Sequence, residues 1–239
     1  MDDISIRYSF TLEDGSQEVF GLTLDVGTLE LKNATPADLP PWTKLGFHQC
    51  PNCPLHPETA PHCPAAANLV NVTQGFARVL SYEKVHVEVV TVDRTITKEM
   101  TAQRAIGSLM GLIMAVSGCP HTSFFRPMAR FHLPWATGHE TTYRAASMYL
   151  LAQYFLRRAG KESDPELEGL LKIYQEVRDV NRAFVQRLRA ATEEDSAINA
   201  LILLDMHALT LPCAVGESLD ELQHLFKAFL EDVERNTAD

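Results

Sequence analysis

The chain has 239 residues, 46% hydrophobic and 22% charged, which suits one globular domain large enough to bury a real core. Its formal net charge of −10 argues against a general nucleic-acid binder, because such a protein needs a basic face to neutralise phosphates.

In chain order, Ile4, Ile6, Tyr8, Phe10 and Leu12 alternate with polar residues, the period of a half-buried strand. The N-terminal MDDISIRYSF is acidic and has neither the basic nor the apolar region of a signal peptide, so a cytoplasmic protein is expected. Asp14-Gly15 marks a turn and Val19 to Leu24 returns, giving a hairpin in residues 1–33, with one more strand turn around Leu29 to Leu31. Residues 34–64 lack periodicity and are rich in Cys, His and Pro. Cys63-Pro64 then opens a helix, since proline suits the first helical position. A β-branched strand follows near residues 84–92 and is expected to join the hairpin in one antiparallel sheet.

Thr101 to Ser117 reads as a buried helix ending at Gly118. Gly107, Gly111 and Ala115 recur every four residues, a small-residue stripe on which another element can pack closely. Its apolar run, Ala105 to Val116, is too short to span a bilayer, so no membrane association is expected. The remainder reads as mainly helical. Thr137 to Glu140 has capping-box spacing, Asp164-Pro165-Glu166 starts a long helix, and further helices run over Ala197 to Leu209 and from a capping box at Ser218. Gly160 to Asp164 is the only candidate linker, and it reads as a helix–helix turn. The expected fold is a helix-dominated α+β single domain, 1–239, with a small N-terminal sheet and a metal-clipped loop.

The segment FHQCPNCPLHPETAPHCP carries the chemistry. It holds Cys50, Cys53 and Cys63 with His48, His56 and His62, and its prolines forbid a helix interior or central strand. The chain has five cysteines, and clustered cysteines in a reducing compartment more often bind metal than form structural disulfides. Cys50, Cys53, Cys63 and Cys119 are each followed by proline, which fixes the turn while leaving later amides free to hydrogen-bond a metal-bound sulfur. Cys-Pro-Asn-Cys resembles half of a zinc knuckle or the paired-cysteine turn of an iron–sulfur protein.

The expected ligands are therefore Cys50, Cys53, Cys63 and Cys119, with His56, His62 or His121 as alternates for the fourth position. Zn²⁺ is the expected metal and an iron–sulfur cluster the alternative; the competing reading is free thiols in a proline-rich loop. Cys63, at a helix start, is expected to favour thiolate through the helix dipole.

A weaker candidate is an anion site formed by Arg126, Arg130 and Arg144, near His132 and His139. Arginines in such segments more often tie down carbonyls and acidic neighbours. Asp205 and His207 sit two apart on a helix, hence on different faces, and read as a surface pair. Cys213 reads as core or loop. No phosphate loop, dinucleotide fingerprint or nucleophile elbow is present.

The cysteine segment, together with SGCPHTSFFRPMARFHLP, is similar to an uncharacterised family of bacterial proteins of unknown function, which carries no activity across. The residues themselves point first to a metal-stabilised interaction or regulatory module with a protein partner. An iron–sulfur protein in electron transfer or redox sensing is one alternative, and a zinc-dependent enzyme with three protein ligands and a water is another.

Overall fold

In the computed structural model, β1 (Ile4–Thr11) and β2 (Gln17–Leu24) form the expected hairpin, in the register Ile4 opposite Leu24 and Thr11 opposite Gln17. Gly15 takes the turn at φ 82°, a left-handed conformation that favours glycine. Ile4, Ile6, Tyr8 and Phe10 face the core, and the alternate side chains face outward. The description covers residues 3–191 and 195–237; the side chains of His207, of residues 210–218 and of residue 237 lie outside it.

β3 (Lys84–Thr91) pairs antiparallel with β1, with Tyr8 opposite Val89. A fourth strand, β4 (Thr95–Thr101), folds back on β3 through Asp93-Arg94, giving the order β2-β1-β3-β4. Sequence periodicity does not reveal β4. Met100 is its one buried residue, Ile96 and Thr101 are half-buried, and Thr97, Lys98 and Glu99 are exposed, as suits a charged edge strand. No further strand forms near residue 30; an isolated bridge joins Leu24 and Leu31.

The chain divides into two compact units, Met1–Trp135 with Glu176–Met206, and Ala136–Gln175 with His207–Asp239. In the first, α1 (Pro64–Gly75) and α2 (Ala102–Val116) pack with the sheet in one apolar cluster. Phe10 meets Phe76 edge-on, ring centroids 4.8 Å apart. The short α3 (Arg126–Arg130) carries two of the arginines of the anion candidate. The later part of α5 (Glu168–Ala191) adds Val180, Phe184 and Leu188 to this core, and the start of α6 (Asp195–Gln223) adds Ala197, Ala200 and Leu201. A Cβ at Gly107 would lie 3.5 Å from the Ala200 carbonyl, and one at Gly111 3.4 Å from Leu204 Cδ2. The small-residue stripe therefore seats α6, as its spacing predicts.

In the second unit, α4 (Gly138–Arg158) carries the expected capping box. Thr137 Oγ1 accepts from the Glu140 amide at 3.2 Å, and Glu140 Oε2 accepts from the Thr137 amide at 2.7 Å. α5 starts at Glu168 rather than beside Asp164, because Leu167 is left-handed at φ 65°. The Asp164 carboxylate instead caps from outside, taking the Gly169 amide and the Tyr149 hydroxyl at 2.7 Å each. Ser218 to Glu221 lie within α6, not at a helix start; the next helix, α7 (Lys227–Thr237), follows a 3-10 turn at His224–Phe226. Among the described residues no helix is long and apolar enough to cross a membrane.

Candidate metal centre

The four cysteines singled out by the sequence come from three segments. Cys50 and Cys53 close a tight turn, with the Cys53 amide donating to the Cys50 carbonyl at 3.0 Å. Asn52, between them, donates from Nδ2 to the Glu176 carbonyl of α5 at 3.1 Å, and its own carbonyl faces His121 Nε2 at 2.7 Å. Cys63 is the N-cap residue of α1, with Pro64 at the first helical position, and its amide donates to the Thr43 carbonyl at 2.8 Å. Cys119 follows α2 directly after Gly118, whose φ of 89° turns the chain. Cys63 and Cys119 are buried in the main apolar cluster, with Cys50 and Cys53 half-buried against it. All four are free thiols.

Their charges act on one another. The Cys50 thiol is pushed up to about 12, first by burial and then by Cys63, Cys119 and Cys53, with Arg187 pulling the other way. Burial also pushes the Cys63 thiol up, and Cys119 adds to this; the Ala66 and Ala65 amides and Arg187 oppose it. Cys63 makes no side-chain capping hydrogen bond. The expectation that this helix start favours thiolate is thus reversed, because desolvation outweighs the helix end. The sulfurs are electrostatic neighbours rather than a coordination sphere. Among the described residues no three His, Cys, Asp or Glu side chains are disposed as a metal-ligating group.

The histidine alternates lie in different settings. His121 turns one ring nitrogen to the Asn52 carbonyl and the other to Glu176 Oε2 at 3.2 Å, so it braces the Cys50–Cys53 turn. His62 places Nδ1 2.8 Å from Thr43 Oγ1. His56 is exposed, and its carbonyl accepts the Thr59 and Ala60 amides.

Sequence reasoning missed Arg187. It is 1% exposed, and its guanidinium donates to the carbonyls of Trp42, Lys44 (2.8 Å) and Leu45 (3.2 Å). It lies over the rings of Phe184 and Phe47, at 5.6 and 6.0 Å from the centroids. A signal was available: Val180, Phe184 and Leu188 mark the buried stripe of α5, and Arg187 falls three residues after Phe184 on that stripe.

The arginines of the anion candidate are differently employed. Arg126 pairs with Glu30 at 2.9 Å and donates to the Thr28 carbonyl, tying down neighbours. Arg130 lies over the Phe131 ring, while Arg144 belongs to the second unit, beside Tyr174 and Glu140. His132 places Nε2 2.5 Å from the Tyr8 hydroxyl, which also meets Ser108 Oγ at 2.9 Å. In the second unit His139 faces Glu221 at 3.2 Å. Asp205 lies 3.8 Å from Arg182; the side chains of His207 and Cys213 are outside the described residues.

Together these features define a helix-dominated α+β protein with four free cysteines, two of them buried in its apolar cluster and two half-buried against it. The chain belongs to the family described as domain of unknown function DUF6901, matched over residues 6–227. No curated protein and no solved structure matches it.

Proposed function

We propose that Cys50, Cys53, Cys63 and Cys119 together hold one Zn²⁺ ion, as the structural centre of a cytoplasmic interaction or regulatory module. The observation that supports this reading is that Cys63 and Cys119 are buried in one apolar cluster, with Cys50 and Cys53 half-buried against it. Burial makes Cys50 and Cys63 resist becoming thiolates, and a cation among the cysteines would favour the thiolate forms and release their protons. All-sulfur donors select a soft or borderline metal over Mg²⁺ or Ca²⁺. Four cysteines leave no open position for water or substrate, which favours a structural role over a zinc enzyme.

Such a centre would join the Cys50–Cys53 turn, the start of α1 and the end of α2. Its outer face presents the exposed Pro51, Pro54, His56, Pro57 and Glu58, a stiff, proline-spaced surface suited to a protein partner. Elemental analysis of freshly purified protein tests the reading, with about one zinc per chain expected for a four-thiolate site. The Cys50→Ser/Cys53→Ser double variant should lose that metal, and equal metal content in both proteins would overturn the proposal. Brown, iron-containing protein from anaerobic purification would replace zinc with an iron–sulfur cluster on the same ligands.

A further inference from the structure

The two edges of the sheet differ in character. β4 exposes Lys98 and Glu99, charges that blunt strand addition, whereas β2 has neither lysine nor proline along Gln17–Leu24. One end of the β2 edge is already taken. Asn33 Oδ1 accepts from the Thr23 amide at 2.8 Å, Asn33 Nδ2 donates to the Gly21 carbonyl at 2.7 Å, and the Lys32 amide donates to the Thr23 carbonyl at 2.8 Å. The side-chain amide of Asn33 thus stands in for the peptide group of a neighbouring strand. By the alternation of the β1–β2 ladder, the Gly21 amide and both backbone groups of Val19 point the same way, and no neighbour takes them among the described residues. Gly21 itself has no internal reason to be glycine. A Cβ there would meet nothing within 4 Å, and its φ is not among the positive ones. A glycine inside a strand is one mark of a place where another backbone approaches closely.

Beside these open groups a cavity of about 340 Å³ lies between β2 and α1, within the size range of ligand sites. Leu22, Leu31, Val72 and Ile113 give it an apolar wall, and Glu18 is the one charged residue of its lining. Glu18, Phe20 and Leu22 share the inward face of β2, opposite Phe10, Tyr8 and Ile6. We propose that this groove binds an extended peptide of a partner protein, which adds as a strand to the β2 edge and carries an apolar residue two positions from a lysine or arginine. Main-chain bonds to Val19 and Gly21 hold the strand, and the alternate side chains of the peptide are read by the groove. A peptide side chain beside Phe20 enters the apolar wall. The one two residues away, on the same face, lies beside Glu18, whose carboxylate selects a cation. The chain's net charge of −10 favours the same sign of partner. None of this needs the metal centre.

Two fluorescein-labelled threonine peptides, one with lysine-threonine-leucine and one with leucine-threonine-lysine at its centre, probe the two strand directions on the full chain by fluorescence anisotropy. Saturable binding of one of them in the micromolar range is expected, and binding of neither overturns the proposal. Val19→Pro removes an outward amide and sets a ring on the edge while sparing the bonds to β1, so it should weaken binding about tenfold or more. Glu18→Lys should weaken binding of the lysine peptide about tenfold and shift preference to the peptide with glutamate in its place. A loosened fold does not exchange one preference for another, so this variant decides the matter should Val19→Pro fold poorly. Equal affinity in a well-folded Val19→Pro, or in a peptide methylated at its central backbone nitrogens, would mean that side chains alone are bound, and would overturn strand addition. Equal affinity in Glu18→Lys would overturn recognition of the cation.

Discussion

Gly111 offers the sharpest test of the packing between α2 and α6, because one added atom and four added atoms have opposite expected signs. A Cβ at this position would lie 3.4 Å from Leu204 Cδ2 and 4.0 Å from Cδ1, contact without overlap. Gly111→Ala therefore keeps the seat of α6 and gains helix propensity, stabilising by up to about 1 kcal/mol. Gly111→Leu carries three more carbons past that contact into Leu204. Overpacking of this kind costs about 1–3 kcal/mol, and the recovered propensity offsets less than half of the upper figure. The net expectation is destabilisation by up to about 2 kcal/mol, a fall of up to about 1 M in the urea midpoint. Equilibrium denaturation of the three proteins reads both signs. Unshifted midpoints in both variants would refute the seat, and a destabilised Gly111→Ala would show that the helices stand closer than described.

Tyr8→Phe should destabilise by about 1–3 kcal/mol in the same assay, because it removes the hydroxyl shared by Ser108 and His132 within the core; a neutral substitution would show that water replaces that hydroxyl. In the second unit, the Gly169 amide first and the Tyr149 hydroxyl second hold the Asp164 carboxyl below its ordinary value. A depressed folded pKa gives stability that is present above the unfolded value, about 3.9, and is lost as pH falls through the folded one. Melting temperature between pH 6 and pH 2 should therefore fall less steeply in Asp164→Asn than in wild type, and parallel curves would remove the cap from the argument. If the proposed metal is bound, chelation should raise hydrogen exchange in the Cys50–Cys53 turn only modestly while residues 42–45 stay protected, and the same pattern should appear in Cys119→Ala; loss of protection across both segments would contradict it.

Features with a local cause were legible in the sequence. The β1–β2 hairpin follows from alternation and Asp14-Gly15, the start of α1 from Cys63-Pro64, and the α4 capping box from Thr137 and Glu140. The glycine stripe on α2 foretold a close partner but could not name α6, because that choice is made in space. β4 escaped because Ile96 and Met100 are too few apolar positions to set a period. The Ser218–Glu221 spacing misled, since a stretch inside a helix can carry the same residues as a helix start. The candidate site divides in the same way. Cysteine spacing and the prolines after each cysteine are written locally, whereas Arg187 differs from the exposed Arg182 and Arg189 only in the face of α5 it occupies.

How the 34–64 loop is held changes what a metal there would do. From sequence, with no apolar period to anchor it, the loop should hang on the metal alone. Its ends do not: Leu45 is 1% exposed within the core, Thr43 is buried, and residues 43–45 pair with 61–63 under the clamp of Arg187. Even the Cys50–Cys53 turn is tied to α5 through Asn52 and to the segment after α2 through His121. A metal entering such a frame orders few residues, so little of its binding free energy is consumed in loop entropy. That prearrangement favours tight binding. The opposing term is electrostatic, because burial also resists ionisation of Cys50 and Cys63. For the proposed centre, affinity would then be decided less by folding of the loop than by the cost of ionising its buried sulfurs.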